Sequence, residues 1–208
     1  MGPSALLAGG AFQKFSGTQN NMRPQTSEPI SNARLDWLAE FQLADGRKLF
    51  FRHVSPDDEP LIASAISTAS RQTLLHRFFS PIRKVPPEML RRMLALDRSH
   101  EVCIVGLVEG SEPKLVCGAR YVRIEEAEAA EIALTVHDDF QRLGLGEFLL
   151  RLLMRMGRED GIRIFEAYVM NSNVGMLKLF EKVAPGHSRR HYEGDVSRVV
   201  IELGSKVS

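Results

Sequence analysis

The sequence predicts an α/β (α+β) layer fold, a mixed and mostly antiparallel sheet flanked by helices. Three observations carry that expectation. Short apolar runs occur in pairs around turn residues, as antiparallel hairpins require. Longer stretches with a 3.6-residue apolar period lie between them. Towards the C-terminus strands and helices alternate before a last hairpin, so the order is a hairpin, helices, a meander and then β-α-β-α-β-β.

The elements read as follows. "LDWLAEFQLADGRKLFFRHV" holds two apolar runs around Asp45-Gly46, a hairpin signal. In "SPDDEPLIASAIS", Ser55 can cap a helix that has Pro56 at its first position and acids in its first turn. "SRQTLLHRFFSP" is expected to be helical up to Pro81, and "PPEMLRRMLAL" to form a third helix. "HEVCIVGLVEGSEPKLVCGARYVRIEE" reads as strand, turn at Gly110–Pro113, and strand, with "AEIALTV" next. A helix to about Asp160, a turn at Gly161 and the strand "IRIFEAYVM" follow. A helix over Asn171 to Val183 and a hairpin through Glu193–Asp195 end the pattern.

Composition bounds the function. The 208 residues suffice for one well-cored domain. A net charge of +1 points to no polyanion, so no nucleic-acid partner is expected. No apolar run approaches the ~18 residues of a membrane span, and no membrane partner is expected. "MGPSALLAGGAF" lacks a basic start and does not read as a signal peptide. Cys103 and Cys117 sit in apolar strand runs as small buried hydrophobes. A cross-strand disulfide and two free thiols both fit, but two cysteines make no secreted framework, which favours a reducing, cytoplasmic setting. Residues 1–34 read as a flexible extension and 35–208 as a single domain.

One stretch raises a question of cost. "DDFQRLGLGEFLLRLLM" places Gly144 and Gly146 where a helix begins, although each glycine costs about 1 kcal/mol against alanine inside a helix. Leu145, Phe148, Leu149, Leu152, Leu153 and Met156 form one apolar face, so the helix itself is secure. A helix N-terminus leaves N–H groups unpaired and carries partial positive charge. Glycines there let a phosphate approach the backbone, and Arg142 adds a charged donor. The reading is a pyrophosphate cradle. A P-loop fits less well because Glu147-Phe148 follow Gly146, and a Rossmann fingerprint because position 149 is leucine. His187 and His191 have no further metal ligands nearby in sequence, and no metal is expected.

Gln141 to Gly146 also fit the Arg/Gln-x-x-Gly-x-Gly/Ala signature of the GNAT superfamily of acyl-CoA N-acyltransferases. The context agrees: a strand precedes, a helix opens, and about 27 residues later "NVGMLKLFEKV" resembles the family's next helix. The resemblance covers about residues 45–203. It implies a sheet splayed between its two central parallel strands, and acetyl transfer from acetyl-CoA to an amine by direct attack in a ternary complex. The pantetheine arm would pair with backbone groups of Leu134, Thr135 and Val136. The pyrophosphate would lie on the amides of Arg142, Leu143, Gly144, Leu145 and Gly146. Asn173 would touch the CoA arm, cap its own helix, or do both. Many members place a tyrosine general acid where this chain has Phe180, which rules out that route here; Tyr168 and Tyr192 are spare candidates.

A narrower likeness is to the GNAT domain of bacterial Pat-type protein lysine acetyltransferases. Arg77-Phe78-Phe79, then Pro81, a helix and "LDRSHEVCIV" carry it. It implies Glu131 as general base, through water, and a protein lysine as acceptor. Some relatives carry a cyclic-nucleotide-binding domain in front; about 35 residues are too few for one, so regulation by that route is not expected. A small-molecule amine acetyltransferase and a catalytically quiet acyl-CoA sensor are the alternatives.

Overall fold

Asp45 and Gly46 turn the chain back on itself as their residue types require. The Asp45 carboxylate accepts from the Arg47 amide at 3.1 Å, and Gly46 takes a φ of +90° that side chains disfavour. This turn joins β1 (Ala39–Gln42) to β2 (Lys48–His53). The structure, a computed structural model, describes residues 37–82, 85–110, 112–124 and 127–204. The extension expected over 1–34 lies outside them, as does residue 111 in the turn expected at Gly110–Pro113.

After β2, Ser55 forms a reciprocal capping box with Asp58, whose carboxylate also clamps Arg52 through two 2.7 Å bonds. A single turn, Pro56–Asp58, leads into α1 (Glu59–Thr68). Next come α2 (Arg71–Phe78) and α3 (Pro87–Leu94). Phe79 ends α2 at φ +53°, its amide donating to the Leu75 carbonyl, so the stop falls two residues before Pro81.

β3 (Glu101–Val108), β4 (Lys114–Arg123) and β5 (Ala129–Val136) form the meander. Then follow α4 (Leu145–Glu159), β6 (Ile164–Met170), α5 (Val174–Val183) and the hairpin β7 (Ser188–Glu193) and β8 (Val196–Glu202). Their order in one eight-stranded sheet is β1-β2-β3-β4-β5-β6-β8-β7, antiparallel throughout except for β5 against β6. The last helix starts at Val174 rather than Asn171, because Asn173 is its cap and Asn171 is bonded to Arg190 and Ser197.

The sheet has two packed faces. Leu149, Leu150 and Leu153 of α4 are fully buried with Phe180 of α5 against Ile104, Ile132, Leu134 and Phe165. Each such side chain contributes about 1.5–3 kcal/mol. On the other face Val105, Leu94 and Val54 gather with Ile62 and Leu115. Strand side chains alternate between faces, so Glu131, Ala133 and Thr135 of β5 point to the side of α1, α2 and α3. Cys103 and Cys117 are free thiols, and burial pushes their ionisation up, to about 11 and about 12. Among the described residues no helix is long and apolar enough to cross a membrane.

Candidate active site

Between β5 and β6 the sheet comes apart. The two strands pair only where Ala129, Ala130 and Glu131 meet Ile164, Phe165 and Glu166. Beyond that point β5 is held by β4 and β6 by β8. From Ile132 and Ala167 onward the facing edges are open, each a row of backbone donors and acceptors without a ladder partner across the gap. A cleft of about 630 Å³ occupies the fork, and α2, the glycine loop and α5 close its sides.

Glu131 is the last paired residue of β5, at the apex of the fork, and it is 8% exposed. It is therefore not a strand-edge carboxylate facing solvent. Arg77 of α2 and Tyr168 of β6 line the same cleft and act on Glu131 electrostatically. Burial pushes the Arg77 guanidinium down and Arg120 reinforces this, while Cys103 and Glu131 oppose it. Burial pushes the Tyr168 hydroxyl up, and the carboxylates of Glu166, Glu193 and Glu131 add to the effect. Burial also lowers His76, another lining residue.

The glycine loop builds a concave row of amides. Arg142 has φ +62° and Gly144 φ +87°, two left-handed residues within three positions. Such alternation turns successive N–H groups towards one point, a nest suited to an anion. Gly144 is the cap of α4, and the first intrahelical donor is Phe148, whose amide reaches the Gly144 carbonyl at 3.0 Å. The amides of Leu145, Gly146 and Glu147 precede it and are left for a ligand or solvent. Gly146 has a second cause: a Cβ there would lie 3.2 Å from Leu179 Cδ2, so it also sets the approach of α5 to α4.

The residues singled out in sequence fall into two groups here. Leu134, Thr135, Val136, Arg142, Gly144, Gly146 and Asn173 all line the cleft. Leu143 and Leu145 do not line it: the Leu143 side chain is 40% exposed and Leu145 is in the core, so only their backbone amides belong to the loop's concave row. The Val136 carbonyl already accepts from Gln141 Nε2 at 3.1 Å. Asn173 Oδ1 accepts from the Met176 amide at 3.2 Å, a helix cap in a cleft wall. Phe180 is buried, and Tyr192 is 71% exposed on the terminal hairpin, so Tyr168 is the tyrosine beside Glu131.

Three features escaped the sequence reading. His137, which the loop position alone would leave in solvent, is 6% exposed; its Nδ1 accepts from the Asp139 amide and its Nε2 lies 3.0 Å from Thr68 Oγ1. Gln141 bridges the Val136 carbonyl to Thr73 Oγ1, tying the loop to α2. Asp138 does the same through Ser70 and Thr73. Both residues were in view as part of the loop, but their partners lie 65–68 positions earlier.

Comparison with known proteins meets this geometry. A model of the acetyltransferase (GNAT) family matches residues 70–184, more than half of the 208. The chain belongs to the GNAT acetyltransferase family. That match runs from the cap of α2 through the fork and the glycine loop to the end of α5, so the whole cleft is GNAT territory. Within the family, the chain is 31% identical over 143 residues to the acetyltransferase Pat of Mycolicibacterium smegmatis, covering 68% of this chain and 42% of that protein. It thus spans less than half the length of that relative. The crystal structure of the GNAT domain of S. lividans PAT superposes with a TM-score of 0.71 at 26% identity, covering 79% of this chain and 96% of that one. An N-acetyltransferase from Thermoplasma acidophilum, solved in complex with coenzyme A, shares the fold at 15% identity, with a TM-score of 0.60 over 74% of this chain and 98% of that one.

Proposed function

We infer that this chain is an N-acetyltransferase that moves an acetyl group from acetyl-CoA to the side-chain amine of a protein lysine, with both substrates bound together. The observation that carries the reading is the buried Glu131 at the apex of an open strand fork, beside a helix N-terminus built as an anion nest. These residues suit the proposed cosubstrate. An extended arm with amide groups would add to the open edge of β5, through Leu134, Thr135 and the amide of Val136. A diphosphate would sit on the amides of Arg142 to Gly146, near the Arg142 side chain. Asn173 would border the arm while capping α5.

The chemistry assigns Glu131 its task. A lysine has a pKa near 10.4, and keeping it neutral at pH 7 costs about 4–5 kcal/mol. Glu131 takes up the proton that the ammonium must shed, through an intervening water. The freed lone pair forms the N–C bond, the C–S bond breaks, and the second amine proton is lost as the sulfur gains one. The leaving thiolate resembles a cysteine thiolate, pKa near 8.5, and departs without a strong acid. Tyr168 lines the same cleft, and its hydroxyl, pushed up by burial and by Glu166, is the candidate to assist departure.

The likeness of the α2 segment to Pat-type enzymes favours a protein lysine over a metabolite amine. Two free thiols of raised pKa suit a cytoplasmic setting. The test pairs calorimetry with assay. The chain is titrated with acetyl-CoA beside ATP and dephospho-CoA, then assayed on lysine peptides, on protein lysates by mass spectrometry, and on small amines. Selective acetyl-CoA binding with lysine acetylation supports the reading. Transfer confined to small amines, or binding without transfer, would overturn it.

A further inference from the structure

A second cavity lies under α1, α2 and α3, against the face of the sheet that carries Glu131. It encloses about 120 Å³, close to the ~150 Å³ of an apolar protein cavity that accepts benzene. Its walls are apolar, among them Ile62, Ala65, Ile66, Leu74, Phe78 and Leu115. It adjoins the cleft: Thr73, Arg77, Ala133 and Thr135 line both. Glu131, Ala133 and Thr135 share one face of β5, so the wall common to both lies one and two side chains along the strand from the carboxylate. Ala133 offers only a methyl group there, so the wall is thin at that position. Thr135 Oγ1 is buried at that boundary without a hydrogen-bond partner among the described residues. A buried hydroxyl left so is a standing cost that a ligand atom would remove.

We propose that this cavity receives the acyl substituent of the thioester, so that the site that takes acetyl-CoA also accepts longer acyl groups and binds them more tightly. The proposal rests on the acyl-CoA reading of the cleft. The argument is geometric. The carbonyl carbon bears sulfur, oxygen and the acyl substituent, and the amine approaches it as a fourth group. Sulfur leads back along the open edge of β5, and the amine arrives with its own chain trailing to solvent. The substituent takes the direction that remains, and the apolar space beside Ala133 lies within reach of it. An acetyl methyl leaves most of about 120 Å³ empty, whereas about four to six carbons fill it. Each methylene buried raises affinity about fourfold.

Calorimetric titration of the whole chain with CoA, acetyl-, butyryl-, hexanoyl- and decanoyl-CoA tests this. Butyryl-CoA should bind on the order of tenfold more tightly than acetyl-CoA, with a more negative heat-capacity change. The gain should stop once the cavity is full. Ala65→Phe, or Ile62→Phe should the first not fold, should bring butyryl-CoA back to the affinity of acetyl-CoA, with titration by free CoA as the check on folding. Equal or falling affinity from acetyl to butyryl would overturn the acyl pocket while leaving the cofactor cleft in place. So would a filled-cavity variant that changes only the KM for the amine, which would make the cavity an acceptor pocket. Failure of CoA itself to bind would overturn the cofactor reading and this proposal with it.

Discussion

Asp138 holds Ser70 by two hydrogen bonds of 2.7 Å, one from the Ser70 amide and one from its hydroxyl. Thr73 adds a third at 2.8 Å. The turn before the glycine loop is thereby fixed to the cap of α2, and α2 supplies Arg77. Burial alone would raise the Asp138 carboxyl, but the bonds from Ser70 and Thr73 outweigh it and hold the group below its ordinary value. Asp138→Ala should lower stability by about 1–3 kcal/mol, read from the urea midpoint. The folded pKa is depressed, so the contribution is complete above the unfolded value near 3.9 and is lost as pH falls through the folded one. The gap between wild type and variant should therefore narrow below about pH 4.

Glu131→Gln keeps the shape of the fork and removes the proposed base. Acetyl-CoA affinity should stay within a factor of about two, while kcat near neutral pH falls by about 10²–10⁴. The variant depends on lysine that is already neutral, so its rate should climb with pH towards about 10, where the wild-type rate has levelled. A pH–rate profile unchanged from wild type would remove Glu131 from the mechanism.

Gly144 offers a way to separate strain from charge. At φ +87° any side chain is disfavoured, so Gly144→Ala should cost about 1–2 kcal/mol of stability. Its Cβ would meet only Phe41 within the protein, at an ordinary 3.5 Å, so any loss of acetyl-CoA affinity should come from the methyl group against the ligand and stay smaller than that of a charged variant. Gly144→Glu adds a carboxylate where the diphosphate would lie, and titration should show affinity reduced at least tenfold. Equal affinities for the two variants would mean that no anion rests on this loop.

Gly106 probes the core beneath β3. A Cβ there would lie 2.4 Å from Cys117 Sγ and 2.7 Å from Phe51 Cε1. Gly106→Ala should cost about 1–3 kcal/mol through overpacking, measured as a lowered urea midpoint. Adding Cys117→Ala should recover only part of the loss, since the Phe51 contact remains.

The elements most legible in sequence are those with local causes. Asp45-Gly46 makes its turn with its own side chain and φ, and Ser55 caps with residues two and three positions on. The glycine loop is local too, and its left-handed residues fall at Arg142 and Gly144. What stayed hidden depends on partners far along the chain. His137 looks like a loop histidine until Thr68 covers it. Gly146 looks like a pure ligand glycine until Leu179 arrives. Ile62 and Leu115 carry no sequence signal of a cavity, and only the packed helices show that space is left beside them.

The three residue pairs that join β5 to β6 also have a mechanical meaning. The sheet is two plates, β1–β5 and β6–β8, sewn together by a seam far shorter than either plate, with α4 as the strap across it. Opening of that seam should be the cheapest large fluctuation of the free molecule, seen as faster amide exchange at Ala129–Glu131 and Ile164–Glu166 than at the β3–β4 rungs. A ligand lying along the gap would lengthen the seam, so bound and free chains should differ most in how their two plates come apart.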